Sequence, residues 1–197
     1  MSNLCILLVP YYHTFQKSVS RPYCLNYMNS SGEFASTRFT YNRKGQNDMA
    51  FYQQITGGRS SRNTHQFDKD GHMIRKEREY NDGETSLEIF DYDQKGRLLE
   101  ESFENSKGVK GTARYEYDET DNAVRMICDG YKGWLKGKIE FEIDSLGKRI
   151  AAKIIREDGP DGSIEFKYDI HGHLVQEIWT IGDWNQTFGY TYEDVES

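Results

Sequence analysis

One motif returns seven times in this chain at a nearly fixed spacing, and it constrains the fold more than any other feature. Each copy ends a strand-like segment with an anchor residue, which is aromatic in six copies and isoleucine in one. The anchors are Tyr41, Phe67, Tyr92, Tyr117, Ile143, Tyr168 and Tyr192, and consecutive anchors stand 24 to 26 residues apart. A constant period of this length indicates one supersecondary unit copied in series.

The residues around each anchor predict two strands per unit. A ring-bearing residue stands two positions before the anchor, and the residue between them is always polar; the ring-bearing set is Phe39, His65, Phe90, Tyr115, Phe141, Phe166 and Tyr190. This alternation is typical of a strand with one buried face. Seven positions after the anchor an apolar residue marks the outgoing strand, with the first repeat shifted by one to Met49; the others are Ile74, Leu99, Val124, Ile150 and Val175. A second turn then follows at a glycine: Gly58, Gly83, Gly108, Gly133, Gly159 or Gly182.

The first turn of each unit has a chemical explanation. The anchor is followed by Asn42, Asp68, Asp93, Asp118, Asp144, Asp169 or Glu193. An Asp or Asn side chain accepts a hydrogen bond from a backbone N–H two residues on and so opens a turn. In the first six units a glycine stands three residues later, replaced by Asp121 in the fourth unit, and these residues tolerate the positive φ that the reversal needs.

The repeats predict an all-β protein: an antiparallel meander of about seven hairpins and 13 or 14 strands, with no helix. One face carries the rings, and the other carries polar side chains, among which we place Arg38, Arg114, Glu140, Arg149 and Glu165. Because open sheets beyond about ten strands curl, split or close, we expect a strongly curled sheet or a closed barrel with the rings inside. We assign residues 22–197 to this single repeat domain and residues 1–21 to an N-terminal apolar cap.

Composition narrows the class of partner. The formal net charge is −7, which argues against nucleic acid as a partner. No apolar run reaches the length of a membrane-spanning helix. Three cysteines are too few and too odd in number for a disulfide framework. We therefore expect a cytoplasmic protein, with a secreted or surface location as the alternative.

One stretch resembles a known repeat family. Tyr92-Asp93-Gln94-Lys95-Gly96-Arg97-Leu98 is similar to the signature of YD repeats, also called Rhs repeats, and weaker copies occur at Phe67–Gly71, Tyr117-Asp118 and Tyr168–Gly172. The likeness covers roughly residues 25–193. It implies β-hairpin architecture, and in that family long arrays form shells around toxic polypeptides or cell-surface extensions. This chain has about seven units, and no toxin or protease segment follows Tyr192.

The sequence contains no recognisable catalytic or metal site. It has no Gly-x-Ser-x-Gly, phosphate loop or His-Glu-x-x-His motif. The acidic turns lack the ligand series of a calcium loop, and His72, His171 and His173 have no zinc spacing. We therefore expect no enzyme, no metal and no cofactor.

Aromatic residues are the remaining candidates for a ligand-binding site. Three tryptophans stand near second turns, and three anchors share the ring-rich face; the six candidates are Trp134, Trp179, Trp184, Tyr92, Tyr117 and Tyr168. Exposed tryptophans at hairpin tips suit a sugar face or a protein anchor. The alternative is that they pack against the end of the array.

Two functional hypotheses follow. The first is a non-catalytic interaction module for a protein partner, such as an accessory or immunity-like partner of a larger repeat toxin by analogy with the family. The second is a module that binds a carbohydrate or apolar ligand in a concavity lined by Tyr and Phe. An exposed final strand near Tyr190 also suggests a homodimer through an edge strand.

Overall fold

The computed structural model describes residues 20–30, 32–55 and 57–194, and these residues form fourteen β-strands joined by turns. The strands are β1 Ser20–Asn29, β2 Gly32–Tyr41, β3 Asn47–Gln54, β4 Ser60–Phe67, β5 Met73–Tyr80, β6 Thr85–Tyr92, β7 Leu98–Asn105, β8 Lys110–Tyr117, β9 Ala123–Tyr131, β10 Leu135–Ile143, β11 Arg149–Arg156, β12 Gly162–Tyr168, β13 Leu174–Ile181 and β14 Trp184–Asp194. The predicted all-β meander of hairpin repeats is confirmed. The cap predicted for residues 1–21 lies almost entirely outside the described residues, and β1 already begins at Ser20.

The sheet closes into a barrel. Each strand pairs antiparallel with its neighbours in sequence, and β1 pairs with β14 over eight matched positions from Ser20–Asp194 to Met28–Thr187. Of the two expected forms, the structure is therefore the closed barrel. Closure also corrects the expected homodimer route, because Tyr190 pairs with Leu25 of β1 and β14 has no free edge.

A bulge recurs at the start of six outgoing strands and explains one feature of the repeat. In the pairing of β6 with β7, for example, Asp91 faces Glu100 while Tyr92 faces Leu98, so Leu99 is the additional residue. The same shift occurs at Asp48, Ile74, Val124, Ile150 and Val175. The apolar residues seven positions after the anchors are thus bulge residues, and Leu99 is 42% exposed. The first repeat fits the same register through Asp48, so it does not slip to Met49.

The anchor tyrosines satisfy backbone carbonyls beside these bulges. Tyr117 Oη donates to the Leu98 carbonyl oxygen at 2.7 Å. Tyr92, Tyr168 and Tyr192 make the equivalent bond to Met73, Arg149 and Leu174. Tyr41 makes it to Pro22, beside a similar register shift in β1. A bulge interrupts the regular ladder of hydrogen bonds, and the tyrosine hydroxyl supplies a partner at that point.

The first turns have the predicted chemistry. Asp93 Oδ1 accepts hydrogen bonds from the backbone N–H groups of Lys95 and Arg97, at 2.8 and 2.9 Å. The side-chain oxygens of Asn42, Asp68, Asp118, Asp144 and Asp169 do the same in their turns. Asp121 has a φ of +63° at the position that glycine occupies in the other turns, as expected.

The ring-rich face fills most of the barrel interior. All seven ring-bearing residues that precede the anchors by two positions are buried, from Phe90 at 2% exposure to His65 and Phe141 at 8%. Burying such side chains contributes roughly 1.5–3 kcal/mol each. Arg149 is a correction to the sequence analysis: the bulge at Ile150 turns it inward, where its guanidinium lies 4.2 Å from the centre of the Phe141 ring. Among the described residues, no helix is long and apolar enough to cross a membrane.

Candidate functional site

A cavity of about 790 Å³ opens at one end of the barrel. This end is formed by the second turns of the repeats, and the mouth includes Asn29, Ser30, Pro160 and Asp183 from three of them. The anchors and their acidic turns lie at the opposite end. The size falls within the range of small-molecule sites, roughly 300–1,000 Å³.

Aromatic rings form much of the cavity wall. Tyr27 lies at the centre of one group, with its ring centre 5.4 Å from that of Tyr52, 5.5 Å from that of Phe188 and 6.2 Å from that of Phe34. The ring planes are tilted or perpendicular, an arrangement that aromatic pairs prefer. Tyr80, Trp134 and Trp184 complete the aromatic part of the lining. A ligand with a flat apolar face would find contacts here on several sides.

The inward-facing residues of β5 bring positive charge to the cavity wall. Lys76, Arg78 and Tyr80 follow one another along the strand and all line the cavity. Arg78 is held in place because its Nε donates to Asn63 Oδ1 at 2.6 Å and its Nη1 donates to Tyr80 Oη at 3.0 Å. Asn63 in turn donates from Nδ2 to the Ala50 carbonyl oxygen at 3.2 Å. The guanidinium therefore has a fixed position.

Behind this wall lies a buried cluster of charges. Lys76 Nζ is 3.2 Å from Glu88 Oε2, and Lys132 Nζ from the β9–β10 turn lies 2.5 Å from the same oxygen and 3.1 Å from Glu101 Oε1. Burial alone would raise the pKa of Glu88, but the charges of Lys132 and Lys76 outweigh it and hold this pKa well below its usual range. Burial raises the pKa of Glu101 in spite of Lys132. Arg78 also acts on Glu88 electrostatically, so three cations share two carboxylates.

The third cation of the cavity lining stands across the barrel from β5. Arg156, at the end of β11, lines the cavity and donates from Nη2 to the Trp134 carbonyl oxygen at 3.1 Å. Its guanidinium lies 5.8 Å from the centre of the Trp134 ring and 3.6 Å from the exposed Asp158 carboxylate. The buried Nε atom of Arg156 and the indole Nε1 of Trp134 make no hydrogen bond within the described part of the chain. Both are donors at the edge of the cavity.

The structure separates the six candidate residues. Trp134 and Trp184 line the cavity. Trp179 is 1% exposed in the core, and its indole Nε1 donates to Glu177 Oε2 at 2.9 Å. The three candidate anchors stand at the other end of the barrel, where their hydroxyls bind backbone carbonyls; they are Tyr92, Tyr117 and Tyr168.

Sequence reasoning missed the cationic side chains of the cavity. Lys76 and Arg78 occupy the repeat positions that hold the buried Met126 and Cys128 in β9. Aligning the repeats through the bulge would have found Arg78, because the other five repeats have an apolar or aromatic residue or a cysteine at its position. It would not have singled out Lys76 in the same way, since two other repeats carry Glu101 and Glu177 at that position. Across the described residues, no group of three or more His, Cys, Asp or Glu side chains could hold a metal ion.

Comparison with known proteins identifies no family. No family model matches the chain. No curated protein matches it. A chain of the TcdB2-TccC3-Cdc42 structure matches 83% of this chain at 16% identity with a TM-score of 0.37, and this chain spans only 9% of that one. A porin-like protein from Bacteroides uniformis ATCC 8492 matches 87% of this chain at 10% identity with a TM-score of 0.47, over 98% of its own length.

Both likenesses are too weak to carry an argument about function. The resemblance to YD repeats therefore rests on the sequence motif. The fold and the site define the architecture: a closed barrel of fourteen strands built from hairpin repeats. An aromatic and cationic cavity lies at the end formed by the second turns.

Proposed function

We propose that the protein is a non-catalytic binding module whose end cavity takes a small ligand with a ring or another apolar face. The observation that carries this proposal is the cavity itself, since the rest of the ring-rich face is packed. Its walls combine rings with a few fixed polar groups, which is the usual composition of a small-molecule site. A sugar ring and an apolar ring both suit such walls.

Buried polar groups in the cavity lining would orient the ligand. Gln186, which is 6% exposed, donates from Nε2 to the Met28 carbonyl oxygen at 2.7 Å. The Tyr27 and Thr37 hydroxyls are 3.0 Å apart. Side chains fixed by such bonds lose little further conformational entropy when a ligand binds.

Thermal unfolding with a panel of glycans and lipids tests this proposal. A ligand at about a hundred times its Kd stabilises the folded state by about 2.7 kcal/mol. For a chain of this size that corresponds to a rise in Tm of roughly 5–10 °C. Ala50→Phe places a ring in the cavity and should abolish the rise. Gln53→Phe adds the same ring to the outer face of the same strand and should preserve it.

Two results would contradict the proposal. One is a panel in which no compound raises the Tm of the wild-type protein. The other is a compound that stabilises the Ala50→Phe variant as much as the wild-type protein, because its site would then lie outside the cavity.

A protein partner is the second candidate, and the opposite end of the barrel favours it. Leu146 is 79% exposed and Ile170 is 96% exposed, in the β10–β11 and β12–β13 turns. The equivalent turns between β2 and β7 present charged side chains such as Lys44, Lys69 and Lys95. If a repeat-toxin polypeptide is the partner, it should co-elute with the wild-type protein in size-exclusion chromatography and not with a Leu146→Ser, Ile170→Ser double variant. Equal co-elution with the wild-type protein and the double variant would show that the partner does not bind at this surface.

A further inference from the structure

The lining of the end cavity differs in side-chain type from the packed core. Among the described residues that line it there is no leucine, valine or methionine, and the one isoleucine is Ile181. The core elsewhere is built from such aliphatic side chains, and examples that are at most 2% exposed are Leu25, Met73, Met126, Ile139 and Leu174. An acyl chain would find few aliphatic partners in the cavity, so we expect the ligand to offer polar groups as well.

Three uncharged polar side chains form part of the cavity wall although they are almost fully buried. Thr37, Asn63 and Gln186 are 3%, 3% and 6% exposed. One amide hydrogen of Asn63 bonds to the Ala50 carbonyl oxygen, which leaves its second amide hydrogen. Gln186 binds the barrel through its Nε2 atom, and its Oε1 atom accepts no hydrogen bond from the described residues. The wall thus keeps both a donor and an acceptor.

The cations of the lining interact with carboxylates of the protein itself. Lys76 Nζ lies 3.2 Å from Glu88 Oε2, and the charge of Arg78 also helps to lower the pKa of Glu88. At the mouth, the guanidinium of Arg156 lies 3.6 Å from the Asp158 carboxylate. These cations therefore do not require an anionic ligand, and an uncharged ligand suits the cavity.

We propose that the ligand of this cavity is an uncharged sugar. The carbon–hydrogen face of a sugar ring is apolar and packs against aromatic side chains such as Tyr52 and Trp184, which line the cavity. Each sugar hydroxyl is both a donor and an acceptor, so hydroxyl groups can bond to Gln186 Oε1 and to the second amide hydrogen of Asn63. The Thr37 hydroxyl offers a third contact. This inference rests on the proposed function, because it names the ligand class of the same cavity.

Isothermal titration calorimetry with neutral sugars tests the inference. The probes are the methyl glycosides of glucose, galactose, mannose and N-acetylglucosamine, and the disaccharides maltose, cellobiose and lactose. At least one of them should give a saturable binding isotherm with the wild-type protein and none with Ala50→Phe, whose added ring occupies the cavity. Monodeoxy analogues of the sugar that binds best then test its hydroxyl groups. Loss of the hydroxyl that contacts Gln186 or Asn63 should weaken binding about tenfold.

A pair of glutamine variants localises the contact. Gln186→Leu removes the acceptor at similar side-chain volume and should weaken sugar binding about tenfold. Gln176→Leu is the matched control, since Gln176 lies on the outer face of the neighbouring strand β13. It should bind the sugar like the wild-type protein. If Gln186→Leu does not fold, Thr37→Val takes its place, with an expected loss of affinity of about fivefold.

The outcomes separate this inference from the proposed function. If no sugar binds, but a lipid of the thermal-unfolding panel raises the Tm of the wild-type protein and not that of Ala50→Phe, the sugar class is overturned and the cavity remains a ligand site. Equal affinity for a sugar and all its monodeoxy analogues, or equal sugar binding by the Gln186→Leu and Gln176→Leu variants, also overturns the inference, because it depends on the hydroxyl contacts. If neither a sugar nor a lipid binds, both proposals fail.

Discussion

Replacing His65 by glutamine tests the electrostatics of the barrel interior through the pH dependence of unfolding. His65 is 8% exposed and faces Lys76 in the pairing of β4 with β5. Its Nδ1 atom lies 2.9 Å from the Asn47 carbonyl oxygen, which fits a neutral ring with its hydrogen on Nδ1. Burial, together with the charge of Lys76, lowers the pKa of His65 to about 4.

The lowered pKa sets both the sign and the size of the effect. Between pH 6.5 and about 4, His65 is protonated in the unfolded chain but not in the folded protein, so the free energy of unfolding falls as the pH falls through this window. From these two pKa values the wild-type protein should lose about 2 kcal/mol between pH 7.5 and pH 5.0 through His65 alone. The Gln variant has no group to titrate at this position and should lack that loss.

Urea unfolding of both proteins at pH 7.5, 6.5, 5.5 and 5.0 measures the effect as a difference. The difference is needed because the raised pKa of Glu101 gives the opposite slope between about pH 4.5 and 7 and masks His65 in either curve alone. His65→Phe provides a second variant without a titrating group, with the side chain that four other repeats have at this position. Parallel stability curves for wild type and both variants would refute the reasoning.

Further substitutions test other parts of the account. Tyr117→Phe should lower the free energy of unfolding in urea by about 1 kcal/mol, because the hydrogen bond to a carbonyl beside the bulge is lost. Phe67→Tyr adds the hydroxyl that this repeat lacks and should leave the free energy of unfolding unchanged or raise it. The reverse order of stabilities would contradict the role of the hydroxyl. Gly83→Ala should lower the free energy of unfolding by about 1–2 kcal/mol, since φ is +82° and nothing crowds the added methyl group. An unchanged midpoint of urea unfolding would contradict the positive φ at this turn. Lys132→Met should lower the free energy of unfolding by about 3–5 kcal/mol, because it leaves buried carboxylates without their cation. Adding Glu101→Gln to this variant should restore part of the lost stability. If it restores none, the two residues are not coupled.

The repeat made the strands, their number and their turns predictable, because each depends on a few neighbouring residues. Asp93 and Gly96, for example, determine a turn with contacts inside five residues. The bulge at Leu99 was not predictable in the same way, since it appears only when one strand is paired with the next. The equivalent bulge residue of β11 is Ile150. Because Ile150 was taken as an inward-facing residue, its neighbour Arg149 was assigned to the outer face, whereas Arg149 pairs with the anchor Ile143 and faces inward.

The candidate site was predictable only in part. Trp134 and Trp184 could be placed near second turns because the period locates those turns. Trp179 could not be distinguished from them, since its burial depends on contact with Phe188 on the neighbouring strand β14. It also depends on the hydrogen bond that its indole donates to Glu177. Lys76 and Arg78 face inward because of a bulge and the closure of the sheet. The local sequence pattern shows neither of these two features.

Closure of the sheet between its first and last strands is the central claim, and a cross-link tests it most directly. Cys24 of β1 stands opposite Thr191 of β14 on the outer face. Directly facing residues have Cβ atoms about 4.5–5.5 Å apart, so Thr191→Cys in a Cys5→Ser background should form an intramolecular disulfide on oxidation. Peptide mapping by mass spectrometry should join positions 24 and 191.

Thr187→Cys in the same background is the control, because this residue lies on the same strand and face but about 13 Å further along it. A closed barrel predicts the cross-link for Thr191→Cys and none within the chain for Thr187→Cys. If Thr191→Cys gives only links between molecules, or no link, the sheet is open and the cavity described here does not exist as a closed-walled site.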